Sequence, residues 1–212
     1  MSVTDLYDYD ALRAQASPSV SVVLPKRTLL VLGSSQNETI LRADCHAERR
    51  RRRGGGGVVL TGPGDLWVDF WIPSSDPRWR PDSRGAAILV GEWWAEALGA
   101  AEVAARVHRE GLAGDAGHRL VCFAGAGPGE VFLGPRKIVG VTQWRVREGT
   151  FLSSIVPSRS AREILSCLSE VPDGLEDVLD HHTTHSLALT SAVVTRLVEL
   201  SGPWARGLAP HL

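Results

Sequence analysis

Between Arg49 and Leu66 the chain reads RRRRRGGGGVVLTGPGDL, five arginines running into four glycines, then a short apolar run and a second Gly/Pro turn. Consecutive glycines carry no Cβ to block a close ligand, and their N–H groups can converge on one concavity. Guanidinium groups beside such a loop offer forked donors matched to phosphate or carboxylate. Taken alone, an Arg/Gly run is equally consistent with a solvated, unstructured linker. The neighbouring sequence decides between the two: Val58-Val59-Leu60 follows the glycines and Leu66-Trp67-Val68-Asp69-Phe70-Trp71-Ile72 follows the turn. Strand-like runs around the loop favour a glycine turn built into a sheet, a cradle for a nucleotide or an activated acyl group.

The 212 residues suit one domain with a sizeable core. A formal net charge of −1 makes the arginine run a local feature. General nucleic-acid binding, which needs a broad basic surface, is therefore not expected. The three cysteines, Cys45, Cys122 and Cys167, cannot all pair within one chain, and none has a paired metal-ligand spacing. A reduced, cytoplasmic protein is the simplest expectation. The N-terminus MSVTDLYDYD is acidic and lacks a signal-peptide core, and no apolar stretch is long enough for a membrane helix.

Residues 1–18 read as loosely held. Val20–Leu24 and Thr28–Leu32 read as strands, the second ending in the polar turn Gly33-Ser34-Ser35-Gln36-Asn37, where Gln36 either reaches a ligand or satisfies turn backbone. Ile40–Glu48 is a short link into the arginines. Val90, Trp94, Leu98, Ala101 and Ala105 form one apolar stripe that predicts a helix over Gly85–Glu110, with Trp94 in the core. Glu130–Leu133, Ile138–Val146 and Thr150–Val156 read as consecutive strands, with Gly134-Pro135-Arg136 as a hairpin turn. Ser160–Leu168 has helical spacing, and a further helix is expected over Leu187–Leu200. This order predicts an α+β domain with a mixed, largely antiparallel sheet flanked by helices.

Lys137 follows a Gly-Pro turn and precedes a β-branched run, so it is either solvated or a point charge for a carboxylate or phosphate in a cleft. Gly140 permits close backbone approach, and Gln143 offers an amide. Asp180-His181-His182-Thr183-Thr184-His185 reads as a surface turn and not as a metal site. No metal is expected.

RRxxGGGxVxxxxGxL at Arg51 to Leu66 is followed by RKxxGxxQ at Arg136 to Gln143, and a Gly-x-x-Gln turn occupies Gly33 to Gln36. This series resembles the catalytic domain of the lipoate–protein ligase, octanoyltransferase and biotin ligase superfamily, in a short form without the accessory C-terminal domain. The match covers residues 28–156. The resemblance implies that Arg52, Gly55, Gly56 and Gly57 line an acyl or adenylate pocket, with Gln36, Gly140 and Gln143 among its binding positions. It also implies that Lys137 grips the acyl carbonyl or phosphate end. Cys122, 15 residues before Lys137, resembles the nucleophile of the cysteine-dependent octanoyltransferases; the other reading is a small core residue on a strand.

The sequence departs from the superfamily at two places. Phe151-Leu152-Ser153-Ser154 stands where His-Gly is usual, and Gly54 where Ser or Thr usually precedes the glycines. The resemblance thus implies transfer of an octanoyl or lipoyl group to a lysine of a lipoyl-domain protein, by way of a Cys122 thioester from an acyl-carrier protein. The alternatives are an ATP- and magnesium-dependent ligase acting through an acyl-adenylate, and a non-catalytic acyl-binding or scaffold domain. Lipoate or octanoate would be substrate, with no tightly bound cofactor.

Overall fold

Every side chain of Leu66–Pro73 is buried, although the strand has two faces. In the computed structural model, which describes residues 3–114, 117–182, 191–202 and 205–206, the explanation is a central position in a layered domain. Trp67 and Trp71 enter one apolar cluster, while Leu66, Val68, Phe70 and Ile72 enter another on the opposite face. A strand covered on both sides reads as a continuous apolar run.

The elements are β1 (Thr4–Asp5), α1 (Tyr9–Arg13), β2 (Ser19–Val23), β3 (Leu29–Leu32), β4 (Glu48–Arg51), β5 (Val59–Thr61), β6 (Leu66–Pro73), α2 (Ser83–Gly99), β7 (Arg106–Val107), α3 (Gly117–Leu120), β8 (Val131–Leu133), β9 (Arg136–Val146), β10 (Gly149–Val156), α4 (Leu175–His182), α5 (Ser191–Ser201) and β11 (Ala205–Arg206). Seven strands form one sheet in the order β11-β2-β6-β10-β9-β8-β7. Its pairings are antiparallel except β11 with β2. A smaller sheet, β1-β4-β3-β5, packs against one face through Leu29 to Leu32 and Val59, and α2 and α5 cover the other. The fold is the expected α+β domain with a mixed, largely antiparallel sheet.

Several expectations are corrected. Residues 4–13 are held, because Leu6, Tyr7, Tyr9 and Leu12 are buried in the core and Leu6 N–H donates to the Arg51 carbonyl at 2.8 Å. The arginine run is largely strand β4, parallel to β3 and β1. The long helix stops at Gly99, short of Glu110. Glu102 takes a left-handed φ of 60°, Val103 N–H bonds to the Leu98 carbonyl and Glu102 N–H to that of Gly99. This is a Schellman ending with glutamate where glycine is usual, and it leaves Ala101 and Ala105 outside the helix. Trp94 is fully buried.

Asp180 and His181 lie on helix α4 and not in a turn; Thr183 to His185 lie outside the described residues. Ala161–Cys167 is a 3-10 helix, and α5 occupies Ser191–Ser201; Leu187 to Thr190 of the expected helix lie outside the described residues. The expected reduced state is also overturned: Cys45 and Cys167 form a disulfide across 122 residues of chain, leaving Cys122 as the free cysteine. No helix among the described residues is long and apolar enough to cross a membrane.

Candidate active site

The glycine loop joins β4 to β5, which flank β3 on either side, so it must cross the end of β3. There is no room for a side chain under the crossing: a Cβ at Gly33 would stand 2.0 Å from the Gly56 carbonyl oxygen. Gly56 itself has a φ of 91°. Ser34 N–H donates to the Gly54 carbonyl and Arg52 N–H to that of Leu32, fixing the loop over the strand end. Gly54, the departure from the superfamily pattern, has a local cause. A Cβ there would lie 2.5 Å from Thr142 Oγ1, and that hydroxyl donates to the Gly55 carbonyl at 2.9 Å.

Arg52 organises the same loop from beneath. It is 3% exposed, and its guanidinium donates to the carbonyls of Gly55, Gly57 and Val31 at 2.7 to 3.2 Å. The other arginines are also engaged. Arg51 holds the carbonyls of Gly33 and Gln36, Arg50 pairs with Glu48, and Arg53 lies 4.7 Å over the Tyr9 ring and reaches Asp5.

Opposite the loop stands Lys137, 1% exposed near the start of β9. The β8–β9 ladder slips between Val131, paired with Val139, and Phe132, paired with Lys137. Such a bulge re-aims side chains. Lys137 Nζ lies 2.6 Å from Glu130 Oε1 and donates to the carbonyls of Cys122 (2.5 Å) and Gly125 (3.1 Å). An ammonium has three donors, and all three have protein partners. Glu130, 6% exposed, accepts from Gly127 N–H at 2.7 Å. Burial pushes its carboxyl pKa up, and Lys137 pulls it back.

Cys122 lies in a 3-10 turn, Cys122–Ala124, and not on a strand. The turn docks on the cradle: Val58 N–H donates to the Leu120 carbonyl, and Cys122 N–H to that of Val58. A Cβ on Gly57 would strike Cys122 N at 2.8 Å. A cavity of about 320 Å³ lies between these parts, within the range of small-molecule sites. Its lining includes Arg52, Gly55, Gly56, Gly57, Cys122, Lys137 and Gln143 from the sequence reading.

Gln36 and Gly140 stand elsewhere. Gln36 accepts from Gly33 N–H and donates to the carbonyls of Arg119 and Leu120, tying the β3 turn to α3. Gly140 lines a void of about 10 Å³ below the cavity, shared with Arg52, Cys122, Thr142 and Ser153. Sequence reading missed Glu130 and Thr142 as parts of the site. Their signals were an acid opening the strand-like run that leads to Lys137, and a hydroxyl next to Gln143.

The sequence matches no protein-family model and no curated protein. Solved structures do match. The bipartite lipoate protein ligase of Thermoplasma acidophilum, studied with its E2 lipoyl domain, is 15% identical over 95% of this chain and 80% of that one, with a TM-score of 0.72. A T. acidophilum protein assigned as a lipoate protein ligase and solved with lipoic acid gives 0.70 at 16% identity, covering 95% and 81%. Lipoate-protein ligase A bound with ATP gives 0.67 at 15% identity, covering 90% and 75%. The chain has the fold of the lipoate–protein ligase catalytic domain.

Proposed function

We propose that this protein is an enzyme of the lipoate–protein ligase superfamily that transfers an octanoyl or lipoyl group to a lysine of a lipoyl-domain protein through a thioester on Cys122. The observation that carries the reading is the free thiol of Cys122 on the wall of the cavity that the glycine cradle and Lys137 also line. In the first step the Cys122 sulfur attacks the carbonyl of an acyl thioester on a carrier protein. A new C–S bond forms, and the carrier sulfur leaves and takes up a proton. In the second step the acceptor lysine, as a neutral amine, attacks the Cys122 thioester. An amide forms, and the amine's proton goes to solvent as Cys122 is released. Exchange between two thioesters is close to isoenergetic and needs no ATP.

An acyl-adenylate ligase is the second reading, favoured by the likeness to a ligase solved with ATP. Against it stands the Glu130 carboxylate on Lys137, which a phosphate would have to displace. The deciding experiment incubates the protein with octanoyl-carrier protein, without acceptor, and analyses it by intact and peptide mass spectrometry. An octanoyl adduct on the Cys122 peptide supports the transferase. No adduct there, with acceptor modified only from free lipoate, ATP and magnesium, would overturn it in favour of the ligase.

A further inference from the structure

The site holds two buried cations, and they differ in what balances them. Lys137 is neutralised by Glu130 and uses its remaining donors on backbone carbonyls. Arg52 has no carboxylate within ion-pair distance among the described residues, and its hydrogen bonds go only to neutral carbonyls. Four of its five N–H groups are used in this way, which leaves one on Nη1 without a protein acceptor among the described residues. A cation taken out of water without a counter-charge is costly, and burial pulls the Arg52 pKa down.

Cys122 is the free thiol in the same surroundings. It shares with Arg52 both the main cavity and the void of about 10 Å³ beneath it, room for about one water. The Gly57 carbonyl, bonded to Arg52 Nη2 at 2.7 Å, belongs to the residue that packs against Cys122 N. Besides Cys122 the acids that act on Arg52 are Tyr9 and Tyr7, with Asp69 hydrogen-bonded to Tyr7, and neither tyrosine is available as an anion. Tyr7 donates to Asp69 at 2.7 Å, and burial raises the pKa of both Tyr7 and Tyr9 above the ordinary value.

We propose that Arg52 is the counter-cation of the Cys122 sulfur, balancing its negative charge before the acyl group is taken up and after it is released. Lys137 and Glu130, a self-neutralised pair, then act as positioning residues for the turn that carries the thiol. The inference rests on the reading of Cys122 as nucleophile, but its test requires no acyl transfer.

The first measurement is the rate of Cys122 alkylation at pH 7 by iodoacetamide and by the anionic iodoacetate, in the wild type, Arg52→Lys and Arg52→Met. Arg52→Met is expected to slow iodoacetamide at least about tenfold. It should also lower the iodoacetate-to-iodoacetamide rate ratio, and Arg52→Lys should restore much of both. A purely structural role for Arg52 would leave that ratio unmoved, and an unchanged ratio overturns the proposal. Arg52→Met removes the support of the glycine loop, so a second measurement stands apart from it. Thermal unfolding of Cys122→Asp is compared with that of Cys122→Asn at pH 8. If Arg52 lacks an anion at this place, the aspartate variant melts at or above the asparagine variant. An aspartate variant melting several degrees lower would overturn the proposal. Failure of octanoyl transfer with both charge effects present would defeat the proposed function and leave the Arg52 assignment standing.

Discussion

Lys137 Nζ and Glu130 Oε1 stand 2.6 Å apart out of solvent, and the two side chains together hold three backbone groups of the loop that carries Cys122. Breaking a buried pair from one side leaves an uncompensated charge, whereas replacing both partners removes the problem. Lys137→Met and Glu130→Leu should each lower unfolding free energy by about 3 to 5 kcal/mol. The double variant should recover much of that loss and stay inactive. Urea unfolding of the three proteins checks this. Additive losses in the double variant would mean that the groups do not act as a pair.

Asp69 gives a pH signature. It is buried on β6, where Tyr7 Oη and Trp67 Nε1 donate to it, each at 2.7 Å. Burial raises its pKa to about 7, against the pull of hydrogen bonds from Ser153, Tyr7 and Trp67. In the unfolded chain an aspartate titrates near 3.9. Between these values the folded state binds more protons, so this contribution to stability is present at low pH and is lost as pH rises through about 7. The slope is at most about 1.4 kcal/mol per pH unit. Asp69→Asn should lack this decline, so the wild type should lose ground to it between pH 5 and 8. Parallel stability profiles in that window would refute the assignment.

The sheet was legible where strand patterns were strong. Leu66–Pro73 and the hairpin from Arg136 to Val156 lie within a residue or two of where the apolar runs placed them. The helix overrun to Glu110 came from a stop signal that the sequence conceals. A Schellman ending is normally announced by glycine, and here Glu102 adopts the left-handed conformation. The buried N-terminus was invisible because Tyr7, Tyr9 and Leu12 gain their burial from tertiary packing, the tyrosine rings against Phe151 of β10 and Trp144 of β9, not from local pattern. In the site, cradle and lysine were legible from spacing. The partners of Arg52 and Lys137 were not, since both depend on which carbonyls the fold brings to them.

The glycines of the cradle divide by what a side chain would meet. At Gly57 a Cβ strikes the backbone of Val121 and Cys122 at 2.6 to 2.8 Å, while at Gly55 nothing lies within 4 Å. Gly55→Val should therefore fold with a melting temperature close to the wild type's while its side chain enters the cavity and abolishes acyl transfer. Gly57→Ala should be poorly folded. Full activity of Gly55→Val would exclude the cavity as the acyl site.

The Cys45–Cys167 disulfide ties the link before β4 to the 3-10 helix after β10. The same segments are also joined by the Leu41–Leu168 bridge and by Arg42 N–H on the Cys167 carbonyl. Reduction should thus weaken the fold without detaching the segments. The expected cost is about 2 to 5 kcal/mol of global stability. Denaturant unfolding with and without reductant measures it, and a Cys45→Ser/Cys167→Ser variant should be indifferent to reductant. Equal stability of the oxidised and reduced wild type would show that the crosslink adds nothing to the fold.

The decisive functional variant is Cys122→Ser. A serine hydroxyl is close in volume but has negligible anionic population near neutral pH, and its acyl ester is a poorer donor to an amine than a thioester. If Cys122 carries the acyl group, Cys122→Ser should lose at least about two orders of magnitude in transfer from octanoyl-carrier protein to a lipoyl-domain lysine. Lys137→Met should also lose about two orders, but through misplacement of the Cys122 turn. The two variants are then distinguishable. Cys122→Ser should keep the wild-type melting temperature and lose the adduct outright, whereas Lys137→Met should melt earlier and retain a slowly formed adduct on Cys122. In an adenylate-forming ligase the sulfur only packs, and the serine variant would stay active with free lipoate, ATP and magnesium. Full activity of Cys122→Ser under those conditions, with none from octanoyl-carrier protein in either form, would assign activation to the nucleotide and remove Cys122 from the chemistry.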